Sequence, residues 1–128
     1  MIVVRLTRHF ATKAQVNALE DAFGHVDIVT VSESLPVKHD EAVVRFDFLV
    51  KQADVVEIVL PIELVEVVIK NSEFCKNGGL LIKSVMIRQL TGHGAEFTFD
   101  HYEVIEKVKI DTYPLKGSQH DKSYSKNH

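Results

Sequence analysis

The segment Leu6-Thr-Arg-His-Phe-Ala-Thr-Lys-Ala-Gln15 carries the residues of this chain best suited to chemistry. Arg8 offers a guanidinium that can grip a phosphate by two parallel hydrogen bonds, and His9 an imidazole that can take up or give a proton. Both follow an apolar run beginning Ile2-Val-Val and precede an amphipathic helix, so they stand where a strand has ended and a helix has not begun. Three other groups occupy the same place in a repeating pattern. Ser32, Glu33 and Ser34 follow a second apolar run, Pro61 to Glu63 a third, and Arg88 with Gln89 a fourth. In open α/β sheets ligands collect beyond the carboxyl ends of parallel strands, so these groups would share one crest. Arg8 and His9 are the candidate catalytic pair; Thr7, Ser32, Glu33, Ser34, Glu63 and Arg88 are candidate ligand contacts. Each also has a plainer reading as a solvated cap, because any parallel α/β domain ends its strands in polar loops.

The elements that would position them follow from local pattern. Ile2 to Leu6 reads as a buried strand, rich in β-branched residues and bounded by polar ones. Thr12 opens a helix in which its hydroxyl can accept the Gln15 N–H while the Gln15 side chain reaches back, a capping box. Val16, Leu19 and Phe23 share a face, and Gly24 supplies a left-handed stop. The free N–H groups of this helix point toward the crest. Val26 to Val31 is a second strand. Beyond it, Ala42, Phe46, Leu49, Val50 and Ala53 make one helical face behind a cap at Asp40, while Val44, Phe46, Phe48 and Val50 alternate as a strand would. Asp40 and Glu41, suited to a positive helix terminus, favour the helix.

Asp54 to Leu60 is a third strand, stopped by Pro61, which suits the first turn of a helix over Ile62 to Phe74. Asn77-Gly-Gly closes that helix, and Leu80 to Ile87 is a fourth strand. The alternation predicts right-handed crossovers and a mainly parallel sheet covered on both faces. Past Arg88, Thr91-Gly-His-Gly reads as a turn or loose loop, with His93-Gly94 either a mobile flap or only a turn. Glu96 to Phe99 and Tyr102 to Ile110 then read as antiparallel edge strands with turn residues between. Residues 1–115 make one α/β domain, and 116–128, with almost nothing to bury, is expected to be a disordered polar tail.

Bulk properties narrow the function. The chain has 128 residues, 45% hydrophobic and 26% charged, enough for one domain that needs no staple. A net charge of -3 and a pI near 6.1 exclude the broad basic face that long nucleic acid requires, whereas a short nucleotide needs only a few cations and amides. Glu57, Glu63 and Glu66 break the longest apolar segments, so no membrane span is expected, and the start lacks signal-peptide features, which suggests the cytoplasm. The single Cys75 allows no internal disulfide. Seven histidines show no metal-ligand spacing, so no metal is expected. Arg8-His-Phe-Ala11 stands where a Gly-rich phosphate loop would follow the first strand, so no NAD, FAD or other cofactor is expected.

The spacing of Arg8, His9, Thr12 and Gln15 after a strand, the triplet Thr7-Arg8-His9 and the segment Leu60-Pro-Ile-Glu-Leu64 together resemble a known group. They are similar to motifs of the small CRISPR-associated Rossmann-like (CARF-type) proteins that bind or cleave cyclic oligoadenylates. The likeness spans about residues 2–88, and Glu96 to Leu115 extends past it. It implies a small Rossmann-like three-layer domain and a homodimer with a composite pocket on its two-fold axis. The implied activity is that of a metal-independent ring nuclease, in which a ribose 2'-hydroxyl attacks the adjacent phosphodiester and expels the 5'-oxygen. Arg8 would then stabilise charge, His9 would transfer a proton, and Ser32 and Ser34 would contact phosphate. Two other classes are open: a non-catalytic sponge or sensor of the same cyclic oligonucleotide, and a structural or adaptor protein whose edge strands near Phe97 and Phe99 form an interface.

Overall fold

Alternation along the first strand divides the core in two. In the computed structural model, which describes residues 1–106 and 113–115, that strand is β1 (Ile2–Leu6), and α1 (Lys13–Phe23) and β2 (Asp27–Val31) follow it. Next come α2 (His39–Leu49), β3 (Val55–Ile58), α3 (Ile62–Asn71), α4 (Glu73–Lys76), β4 (Leu80–Thr91) and β5 (Gly94–Ile105). The sheet order is β2-β1-β3-β4-β5, parallel except for the antiparallel β4–β5 pair. Val3 packs with Leu19, Val55 and Ile82 on the α1 face. Val4 and Leu6 pack with Phe46, Val56, Val65 and Val68 on the face covered by α2 and α3. This is the mainly parallel, three-layer α/β arrangement with an antiparallel edge that the pattern predicts. Among the described residues no helix is long and apolar enough to cross a membrane.

Local signals act where expected. Thr12 and Gln15 form the capping box, and Gly24, at φ 78°, ends α1 with its N–H donated to the Glu20 carbonyl. The segment after β2 is helical: Ala42, Phe46 and Val50 turn inward at helical spacing, while Val44 and Phe48, which a strand would bury, are exposed. Lys38, not Asp40, is the N-cap of α2; Asp40 lies in the first turn, where its carboxylate accepts the Glu41 N–H. Pro61 stands one place earlier than expected, at the N-cap of α3.

Three boundaries differ because distant partners set them. The helix expected to run to Phe74 breaks at Ser72, whose hydroxyl accepts the Cys75 N–H, while Asp47 of α2 accepts the N–H groups of Glu73 and Phe74. The fourth strand, expected to stop at Ile87, runs on to Thr91 because β5 pairs with it from Leu81 to Thr91. The two edge strands expected after it are one: β5 passes Asp100 as a bulge, with Val85 opposite His101 and Met86 opposite Phe99. The stretch 107–110 and the tail 116–128 lie outside the described residues.

Only Leu80 to Ile82 of β4 pair with β3, so the rest of β4 and its partner form a two-stranded arm. From Ile82 to Thr91 it reaches on the order of 30 Å at the usual rise of an extended strand. Gly79, which leads into β4, has a side-chain reason to be glycine. A Cβ there would lie 2.4 Å from the Phe74 ring, itself packed edge-on against Phe46. Gly79→Ala should therefore cost about 1–3 kcal/mol by overpacking, and Gly92→Ala, with nothing within 4 Å, close to none. Urea unfolding of the two variants measures the difference.

Candidate functional site

The crest cleft arises from the connections. From β1 the chain crosses one face through α1 to reach β2, then crosses the other face through α2 to β3 on the opposite side of β1. Connections that diverge in this way open a crevice at the carboxyl ends of the strands. A cleft of about 680 Å³ lies there. Thr7, Arg8 and His9 line it just past β1, Ser32, Glu33 and Ser34 just past β2, and Pro61 and Glu63 at the start of α3. Leu35, Pro36, Val37, Val59, Leu60 and Leu64 give it an apolar wall. Of the candidate ligand contacts, Arg88 alone is not part of the cleft. It lies within β4, paired with Phe97 on the arm, because the strand continues past the crest.

Arg8, His9, Ser32, Ser34 and Glu63 are exposed, and among the described residues their side chains have no hydrogen-bond or ion-pair partner. They are available to a ligand. Glu33 is not equally available. Its carboxylate is held bidentately by Arg45 of α2, one arm of the fork at 2.6 Å, and the guanidinium stacks 4.9 Å from the Phe48 ring. The hydrogen bond from Arg45 is the chief reason that the Glu33 carboxyl titrates below its ordinary value of 4.5.

Beneath the crest is a group of residues that the sequence did not mark as a site. Arg5 and Glu57 are opposite one another in the β1–β3 register and are each 2% exposed. The Arg5 Nε donates to Glu57 Oε1 at 2.8 Å, its second terminal nitrogen to Gln15 Oε1 at 3.2 Å, and its first to the His9 carbonyl at 2.7 Å. Gln15 Nε2 donates to Ser84 Oγ at 3.1 Å, and Ser84 donates to Glu57 Oε2 at 2.8 Å, which closes a ring of side chains. Tyr102 adds a hydrogen bond from β5 to Glu57 Oε1 at 2.7 Å.

Burial disfavours the Arg5 charge, but the hydrogen bond and charge of Glu57 more than offset it, so its pKa stands above the ordinary arginine value. Burial, then the Glu57 carboxylate, also raise the Tyr102 pKa and keep the phenol protonated. Among the described residues no buried side-chain nitrogen or oxygen lacks a partner. One signal was present in the sequence: charges of opposite sign at inward positions of two otherwise apolar strands. It pairs only once the register is known.

Among the described residues no group of three or more histidine, cysteine, aspartate or glutamate side chains could hold a metal ion. Fold and cleft together define a small Rossmann-like α/β domain with its candidate site at the switch point. Comparison with known proteins gave no match: no family model, no curated protein and no solved structure matches this chain.

Two outcomes follow. Glu57→Ala strands the Arg5 charge in the core and should cost roughly 3–5 kcal/mol in urea unfolding, whereas Arg5→Met with Glu57→Leu should cost much less. For Glu33, the folded pKa lies below the unfolded one, so its contribution is present above pH 4.5 and lost as pH falls through the lowered value. Carboxyl NMR titration should show this shift in the wild type and its disappearance in Arg45→Ala.

Proposed function

We propose that this protein is a cytoplasmic, metal-independent ring nuclease that binds a cyclic oligoadenylate in the crest cleft and linearises it, acting as a homodimer. The observation that carries this reading is the convergence of Arg8, His9, Ser32 and Ser34, whose side chains have no partner among the described residues, beside an apolar wall. Cations and hydroxyls suit phosphodiesters, and the Pro36, Val37 and Val59 side suits a base face. The motif resemblance at Thr7-Arg8-His9 and Leu60-Pro61 supports the choice of ligand.

In the reaction, the ribose 2'-oxygen forms a bond to the adjacent phosphorus as the bond from phosphorus to the 5'-oxygen breaks. The 2'-hydroxyl proton passes to water, and His9, as imidazolium, supplies a proton to the leaving 5'-oxygen. Arg8 offsets the charge that gathers on the phosphoryl oxygens. The products are a linear strand with a 2',3'-cyclic phosphate at one end and a free 5'-hydroxyl at the other. Glu33, engaged by Arg45, serves to hold the second wall and takes no part in proton transfer.

The arm favours one other reading, a protein contact: Leu90 is 83% exposed and Phe97 68%, both on strands of the arm. The two readings separate in a chromatographic assay with cyclic oligoadenylates of several ring sizes, with and without EDTA. The nuclease reading predicts linear products, insensitive to EDTA, with the rate falling about 10²–10⁴-fold in Arg8→Ala with His9→Ala. Intact rings that co-elute with the protein would replace it with a sponge or sensor. Absence of any association would contradict both nucleotide readings and leave the adaptor.

A further inference from the structure

The stretch that carries the candidate catalytic pair buries little of its own. Arg8, His9 and Phe10 are all exposed, Phe10 by 85%. Apolar packing therefore does not fix where Arg8 and His9 stand, and the segment is held by hydrogen bonds. Arg5 donates to the His9 carbonyl at 2.7 Å, His9 N–H donates to Thr7 Oγ1 at 3.3 Å, and the Thr12 N–H donates to Gln15 Oε1 at 2.9 Å. Two of these three bonds belong to the buried ring. Gln15 Oε1 accepts from both Thr12 and Arg5, so the two anchors, at His9 and at Thr12, meet on one guanidinium.

We infer that Arg5 is the positioning residue of the crest, and that its guanidinium, oriented by Glu57, fixes the 8–12 segment from beneath and so sets where Arg8 and His9 meet a ligand. Orientation is the decisive property. Glu57 is clamped by Ser84 and Tyr102, which leaves one direction for the Arg5 fork, and that direction places the free terminal nitrogen under the His9 carbonyl. A planar guanidinium can serve the carboxylate, the amide and the carbonyl at once. A lysine ammonium can keep the charge pair with Glu57 but has no fork to span all three acceptors. Arg5 thus acts through the backbone of His9 and does not itself touch the ligand.

Arg5→Lys is the test, with Ser84→Ala as a second variant that loosens Glu57 and leaves Arg5 in place, should the first fail to fold. Amide hydrogen exchange is read for residues 8–12 against β1 and β3, and ring opening is split into kcat and KM; the kinetic part rests on the ring-nuclease reading above. Loss of one charge-assisted bond should speed exchange about tenfold or more at His9 and Thr12, the amides of this segment that donate hydrogen bonds, and not in the strands. The variant's kcat should fall roughly tenfold to a hundredfold through misplacement of the reacting groups, with KM within about threefold of wild type. Unchanged exchange at the crest, or equal acceleration throughout the sheet, would overturn the inference. If the wild-type protein opens no ring and exchange still changes only at the crest, the function assigned above fails and the positioning role stands.

Discussion

A guanidinium and a carboxylate face one another across β1 and β3, buried on the face that Val3 and Val55 share, and most of what distinguishes this domain depends on them. Each charge removed from water costs several kcal/mol, which only close pairing and full hydrogen bonding can offset. Arg5 and Glu57 meet that condition by recruiting Gln15 from α1, Ser84 from β4 and Tyr102 from β5. The result ties four strands and the first helix at one point. Well-packed apolar residues would hold such a point about as firmly. They would not supply a donor aimed at the His9 carbonyl, and direction is what the pair adds.

The same capping interaction that starts α1 is part of this ring. Gln15 Oε1 accepts from the helix's own N-cap and from Arg5, so the beginning of α1, the end of β1 and the interior charge are fixed together. Above them, the second wall is secured differently, by the exposed Glu33–Arg45 pair resting on Phe48. One wall of the cleft is therefore anchored in the core and the other at the surface. An exposed pair is screened by salt and contributes little to stability. The first wall has the firmer attachment, and it carries Arg8 and His9.

Legibility in the sequence followed the range of the forces involved. The first strand, the capping box and the Gly24 stop are set within a few residues, and all were visible in pattern alone. The strand–helix order was visible for the same reason, and with it the shared crest of Thr7, Arg8, His9, Ser32, Glu33, Ser34 and Glu63. What was not visible required a partner far along the chain. The break at Ser72 needs Asp47, the length of β4 needs β5, and Arg88 leaves the crest as a consequence of that length. Arg5 and Glu57 are separated by 52 residues, and each alone looks like a polar interruption in an apolar run.

The central claim is that the core-anchored crest is where this protein meets a small phosphodiester. Amide chemical-shift mapping with a cyclic oligoadenylate tests it most directly, because it locates binding without requiring turnover. Shifts concentrated at residues 7–9 and 32–34, with the distal arm around 88–97 unmoved, are the predicted result. Shifts confined to the arm, or none at saturating ligand, would contradict it.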